Sequence, residues 1–187
     1  KSYLEMETIG NTIDDAAGEA FDKCGKLMGL PYPAGPAINK LASEGSKNVF
    51  KFSKPVVSGL DFSFSGLKTS FLYFLRDRLR EDPDFIEKNK SDLCASLQHT
   101  IINILIDKLI KASLSTGVKE IGIAGGVSAN SGLRNEVTRE GKKRNWNVFI
   151  PEISLTTDNA AMIGITGYYK YLANDFSGQD ITPLARL

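Results

Sequence analysis

The run Ile121-Gly-Ile-Ala-Gly-Gly-Val-Ser-Ala-Asn130 carries the strongest local signal in this chain. Ile121 to Ala124 is too short for a helix, alternates β-branched with small residues and follows a polar break at Gly117 to Glu120, so it is read as a buried strand. Gly125 and Gly126 come directly after it. Lacking a Cβ, they let the backbone lie flat against a ligand, and a helix expected from about Ser128 to Arg144 would offer unpaired N–H groups to a polar or anionic partner. A tight strand-to-helix turn explains the two glycines equally well, since their spacing is not that of the dinucleotide fingerprint. Trp146 to Pro151 reads as the next strand, stopped by proline, and a helix is expected from Thr156 to about Ala173. Strand, helix, strand, helix predicts an α/β chain with a parallel sheet. The ligand edge of such a sheet lies where strand carboxyl ends meet helix starts, which would gather Gly125, Gly126 and Asp158.

With 187 residues, the chain can bury one good core, either as a single domain or as one and a half lobes of something larger. A composition 42% hydrophobic and 24% charged, with a net charge of +1, excludes a strongly basic nucleic-acid-binding chain and leaves any RNA contact to a local patch. Cys24 and Cys94 form neither a metal nor a redox motif and are read as buried free thiols in a reducing cytosol. No uninterrupted apolar run approaches a membrane span, and no signal-peptide pattern opens the chain. The sequence begins at Lys1, and Tyr3 to Thr8 alternates like a strand from the middle of a sheet, so the chain is read as a piece of a longer protein.

Asn11 to Asp15 is expected to turn into a helix running to about Met28, with Thr12 as its cap. Ala17, Phe21, Cys24 and Met28 recur at helical spacing and should face the core, opposite a row of Asp15, Glu19, Asp22 and Lys26. That row is a solvated face with an Asp22–Lys26 pair on the plainer reading, and a carboxylate for ligand hydroxyls at Asp22 on the functional one. Pro31-Tyr-Pro-Ala-Gly-Pro36 gives a stiff loop before a short helix from about Ala37 to Glu44. Val49 to Phe52 alternates as a strand. Ser65 is the expected cap of a helix to about Leu79, whose basic end holds Arg76, Arg78 and Arg80.

Glu81 to Lys90 reads as a charged linker, followed by the longest helix from about Ser91 to Ser115. Leu93, Leu97, Ile101, Leu105, Leu109 and Ala112 form its apolar stripe, widened by Ile102, Ile106 and Ile110. His99, the only histidine, falls outside both rows, and a single histidine does not make a metal site. Lys142-Lys143-Arg144 suits a helix C-terminus, with a phosphate-backbone contact as the alternative. Asp158, expected in the first turn of the last helix, reads as a dipole-compensating residue or as a carboxylate for a cation.

Asp14-Asp-Ala-Ala-Gly-Glu-Ala-Phe-Asp-Lys23, Tyr32-Pro-Ala-Gly-Pro36, Asp61-Phe-Ser-Phe-Ser-Gly-Leu-Lys-Thr69, Ala124-Gly-Gly-Val-Ser-Ala-Asn130 and Thr157-Asp-Asn-Ala-Ala-Met162 together resemble, in order and spacing, the bacterial TsaD family. That family was formerly labelled O-sialoglycoprotein endopeptidase or glycoprotease. The resemblance implies a two-lobed actin-like ATPase fold, of which residues 1–187 would be most of the second, C-terminal lobe, with the first lobe absent. It implies an enzyme that moves threonylcarbamoyl from threonylcarbamoyl-adenylate to N6 of adenosine 37 in tRNAs reading codons that begin with A. Nucleotide and substrate contacts would fall on Asp22, Gly35 and Asn130, with Asn39 near a further ribose-facing position and Gly125 and Gly126 beside them. One iron or zinc ion would take Asp158 as a ligand. The family's paired metal histidines and phosphate loop precede the region matched here, so this piece is expected to be inactive alone and to bind ATP weakly. TsaB- and TsaE-like partners, a cytoplasmic location and a fragment homodimer through the Tyr3–Thr8 edge or through exposed helices complete the expectations. A metal-dependent glycopeptidase and a non-catalytic actin-like binding module are the alternatives.

Overall fold

Strands β1 (Glu120–Gly122) and β2 (Asn147–Phe149) pair in parallel with Ile121 opposite Val148, as the strand–helix–strand reading requires. The structure is a computed structural model describing residues 3–182. It divides into a unit of residues 9–156 and a smaller unit made of the residues before and after it. In the larger unit, α1 (Ala17–Leu27), α2 (Ala34–Ala42), α3 (Ser65–Glu81) and α4 (Phe85–Thr116) precede β1, and α5 (Ser131–Arg144) joins the strands. The smaller unit contains α6 (Ala160–Leu172). The chain is thus mixed helix with a small parallel sheet among its described residues.

Two cores flank α4. Leu93, Cys94, Leu97, Ile101 and Ile104 pack with Phe21 and Cys24 of α1, Ile38 of α2 and Phe71 of α3. Ile102 and Ile106 pack with Ile121, Leu133 and Val137 of the strand–helix layer. A helix buried on two sides has no single apolar stripe, and the expected stripe divides between the two cores. By length and composition alone α4 would cross a bilayer, but 61% of its apolar window is buried inside the chain, as befits a core helix. The helix also begins at Phe85 rather than Ser91. Its charged start is a solvated face, with Lys90 paired to Glu87 and Lys88 to Asp82, while Phe85 anchors it against Phe50 and Phe74.

Several local expectations give way to longer-range partners. Val49 to Phe52 forms no strand, because Phe50 and Phe52 lodge against Phe74 and Phe71 of α3 and no described strand offers a ladder. Tyr3 to Thr8 is not a strand either; Tyr3 stacks on Tyr169 of α6 with ring centroids 4.1 Å apart, so an edge-paired homodimer loses its basis. Thr12 does not cap α1, since its hydroxyl donates to the Asp15 carbonyl at 2.6 Å. Ser65 is the first residue of α3 rather than its cap, and the Asp14 carboxylate receives the Phe64 N–H at 2.7 Å and the Ser65 N–H at 3.2 Å. Cys24 and Cys94 are buried free thiols, and desolvation pushes them up to about 12 and about 11.

Candidate functional site

The start of α2 is held by a side chain of α1, the start of α5 by a side chain of α2, and the glycine turn after β1 packs on α1 through Val127. The backbone N–H of Ala34 opens α2 and is one of the donors a helix leaves unpaired. It donates to Asp22 Oδ1 at 2.7 Å, so α1 caps α2 across the proline loop. The expected Asp22–Lys26 pair is therefore not formed; the cation of this face is Lys23, which bridges Asp15 and Glu19. Asp22 Oδ2 accepts no hydrogen bond from the described residues and is left for a hydroxyl donor.

Helix α2 begins at Ala34 and not at Ala37, because Pro36 fits in a first turn, where an N–H has no helical acceptor. Gly35 thereby becomes the second helical residue, and a Cβ there would meet no atom within 4 Å. The fold does not need glycine at Gly35; the open space beside it is available to a ligand. One turn on, Asn39 Oδ1 accepts from the Ser131 N–H at 3.1 Å and from the Ser131 hydroxyl at 2.9 Å, which ties α2 to the start of α5.

The glycine turn differs from the expected direct strand-to-helix step. Residues Gly126–Ala129 make a single 3-10 turn, and α5 begins at Ser131 with Asn130 as its cap, Asn130 Oδ1 accepting the Leu133 N–H at 3.0 Å. Gly125 has φ of 79°, a left-handed conformation that requires glycine, and its carbonyl accepts the Ser128 N–H at 2.9 Å. Gly125 and Gly126 are exposed with open space beside them, and Val127 packs on Gly18 of α1. Beneath the turn the Ser128 hydroxyl is buried without a hydrogen-bond partner among the described residues.

A cleft of about 800 Å³ opens between α1 and the proline loop, lined by Gly18, Asp22, Lys26, Tyr32 and Ala34. Asn39 and Asn130 lie beyond it, at the α2–α5 contact. The larger unit thus brings Asp22, Gly35, Asn39, Gly125, Gly126 and Asn130 to one linked junction. Asp158 belongs to the smaller unit, where it immediately precedes the cap of α6: Asn159 Oδ1, not Asp158, accepts the Met162 N–H at 3.1 Å. Among the described residues, no group of three or more histidine, cysteine or acidic side chains is arranged to hold a metal ion.

Two supporting residues escaped the sequence reading. Ser131 is 92 positions from Asn39, and no local pattern links them. Tyr32, 86% exposed at the cleft, belongs to the Tyr32–Pro36 motif, but nothing in its pattern singles it out as lining a cleft. His99 is half-buried with Nε2 3.0 Å from Asn103 Nδ2, and burial, reinforced by Lys47 and Lys54, holds its pKa below the usual value.

Comparison with known proteins agrees with the motifs. The family model TsaD, tRNA N6-adenosine threonylcarbamoyltransferase, matches residues 1–165. Proteins of that name from Porphyromonas gingivalis and Christiangramia forsetii are 62% and 57% identical over 100% and 98% of this chain, covering 55% and 54% of their own lengths. One from Clostridium botulinum is 43% identical over 100% of the chain and 55% of its own length. The chain spans about half the length of the curated relatives it matches. With its motifs in order and a family match over most of its length, this chain belongs to the TsaD family of tRNA N6-adenosine threonylcarbamoyltransferases.

Proposed function

We propose that this chain is the C-terminal part of a two-lobed, actin-like ATPase-fold enzyme that transfers threonylcarbamoyl from threonylcarbamoyl-adenylate to N6 of an adenosine in tRNAs reading codons that begin with A. The observation that carries this reading is the junction itself. A carboxylate with one oxygen free of protein donors holds the helix start next to Gly35, that helix is bonded through Asn39 to the start of α5, and the open glycine pair opens the 3-10 turn that leads into α5.

In this reading, Asp22 accepts hydrogen bonds from the ribose hydroxyls of the adenylate while its other oxygen holds α2 in place. Gly35, Gly125 and Gly126 let backbone approach the nucleotide, and Asn39 and Asn130 both fix the start of α5, as Asp22 fixes that of α2. The chemical step is attack by the tRNA adenosine N6 amine on the carbamoyl carbonyl carbon, with AMP as leaving group. The contribution of these residues is to hold the adenylate still while that amine arrives, which is positioning in the sense of an entropy trap.

A divalent iron or zinc ion would take Asp158 as one ligand. The described residues do not complete a site for it. TsaB- and TsaE-like partners and a cytoplasmic setting go with the same reading. The glycopeptidase alternative would require a metal-bound water beside a general base.

The test supplies the complete enzyme with threonylcarbamoyl-adenylate and tRNA, and separately with a sialoglycoprotein. Modified adenosine in the tRNA with no peptide release is the expected result. Peptide release without tRNA modification would overturn the proposal.

A further inference from the structure

Asn130 does two jobs with one amide, and a residue outside the motif holds the second of them. Its Oδ1 is committed to the Leu133 N–H at 3.0 Å, which leaves Nδ2 as the donor side. That nitrogen donates to Gln98 Oε1 at 2.6 Å. Gln98 comes from the middle of α4, 32 positions before Asn130. Its approach depends on Gly132: a Cβ there would lie 2.8 Å from Gln98 Nε2 and 2.8 Å from Ile102 Cδ1. Gln98 also lines a groove of about 260 Å³ between α4 and α5 with His99, Asn135 and Glu136, which sets it between the core helix and the site.

From this geometry we infer that Gln98 is a positioning residue for the substrate-binding junction, acting through Asn130. The cap bond alone leaves the Asn130 amide plane free to rock about its last torsion, whose wells are broad. The Gln98 carbonyl takes one of the two Nδ2 hydrogens and leaves the other pointing in a single direction. It also ties the start of α5 to the longest helix in the chain, so the α5 start is set by the core rather than by the exposed turn. This inference rests on the assignment of Asn130 to the binding site.

The experiment measures binding of adenylyl imidodiphosphate to the complete enzyme by calorimetry, for Asn130→Ala, Gln98→Met, Gln98→Glu and the double variant Asn130→Ala with Gln98→Met. Methionine keeps the length and removes the acceptor, and about a five- to tenfold loss of affinity is expected, the worth of one neutral hydrogen bond. Glutamate restores an acceptor oxygen and should recover most of that loss. In the Asn130→Ala background, Gln98→Met should add nothing, because a residue acting only through Asn130 has no further path. Gln98→Leu repeats the series if the methionine variant does not fold. Wild-type affinity in Gln98→Met, or an equal loss in both backgrounds, would overturn the inference while Asn130→Ala still binds poorly. Unchanged affinity in Asn130→Ala would instead remove the site assignment, and the inference with it.

Discussion

Replacing Asp14 should destabilise the larger unit out of proportion to the exposure of that residue. Its carboxylate accepts from the Ser63 hydroxyl at 2.5 Å, the Phe64 N–H at 2.7 Å, the Ser65 hydroxyl at 2.7 Å and the Ser65 N–H at 3.2 Å. These bonds pin the loop before α1 to the start of α3, beside Phe64, which is 1% exposed. Burial alone would raise its pKa, but the Phe64 N–H and the Ser63 and Ser65 hydroxyls outweigh that and hold it well below the usual carboxylate range. A capping carboxylate contributes roughly 0.5–2 kcal/mol. Four bonds argue for the upper end and solvent screening argues against exceeding it, so Asp14→Ala should cost about 2 kcal/mol. Asp14→Asn, which keeps one acceptor and sets an NH₂ against donors, should cost about half of that, on the order of 1 kcal/mol. In a chain of this size, 2 kcal/mol corresponds to about 4–8 °C in melting temperature. Urea unfolding followed by circular dichroism measures the loss. A folded pKa below the unfolded one means that the stabilisation is full above about pH 4 and fades as pH falls further, so wild type and Asp14→Asn should converge in acid. A loss below about 0.3 kcal/mol at pH 7, or one that does not shrink in acid, would refute the reasoning.

Gly25→Ala would place a Cβ 2.3 Å from Ala34 Cβ, forcing α1 and α2 apart; a destabilisation of about 1–3 kcal/mol by thermal melting is expected, and a melt like that of wild type would contradict the contact. In the complete enzyme, Asp158→Asn should lower metal content by elemental analysis and leave the melting temperature nearly unchanged, because Asn159 and not Asp158 caps α6; undiminished metal would exclude Asp158 as a ligand.

What the sequence made legible was whatever repeats at short range. Phe21, Cys24 and Met28 are buried as their helical spacing predicts, and the two strands flanking α5 follow from alternation and from Pro151. The candidate residues Asp22, Asn39 and Asn130 were also visible, but their partners were not. Asp22 meets Ala34, Asn39 meets Ser131 and Asn130 meets Gln98, contacts that span 12, 92 and 32 positions and leave no periodic trace. The same blindness misplaced the helix caps. Thr12 and Ser65 are good local caps, yet Asp14 serves α3 from 50 positions away, because tertiary packing brings its carboxylate to the Phe64 and Ser65 N–H groups. The Val49–Phe52 strand failed for a related reason: alternate aromatic residues entering a core look like a strand whether or not a partner strand exists.

Gly35 offers the most direct test of the proposed site. A Cβ at this position would meet no atom within 4 Å outside its own stretch of helix, so Gly35→Leu is expected to fold while extending into the space assigned to the nucleotide. Calorimetry of the complete enzyme should show adenylyl imidodiphosphate affinity reduced by more than about tenfold, a cost above ~1.4 kcal/mol, with an unchanged melting temperature. Wild-type affinity in a folded Gly35→Leu enzyme would contradict the placement of the nucleotide at this junction.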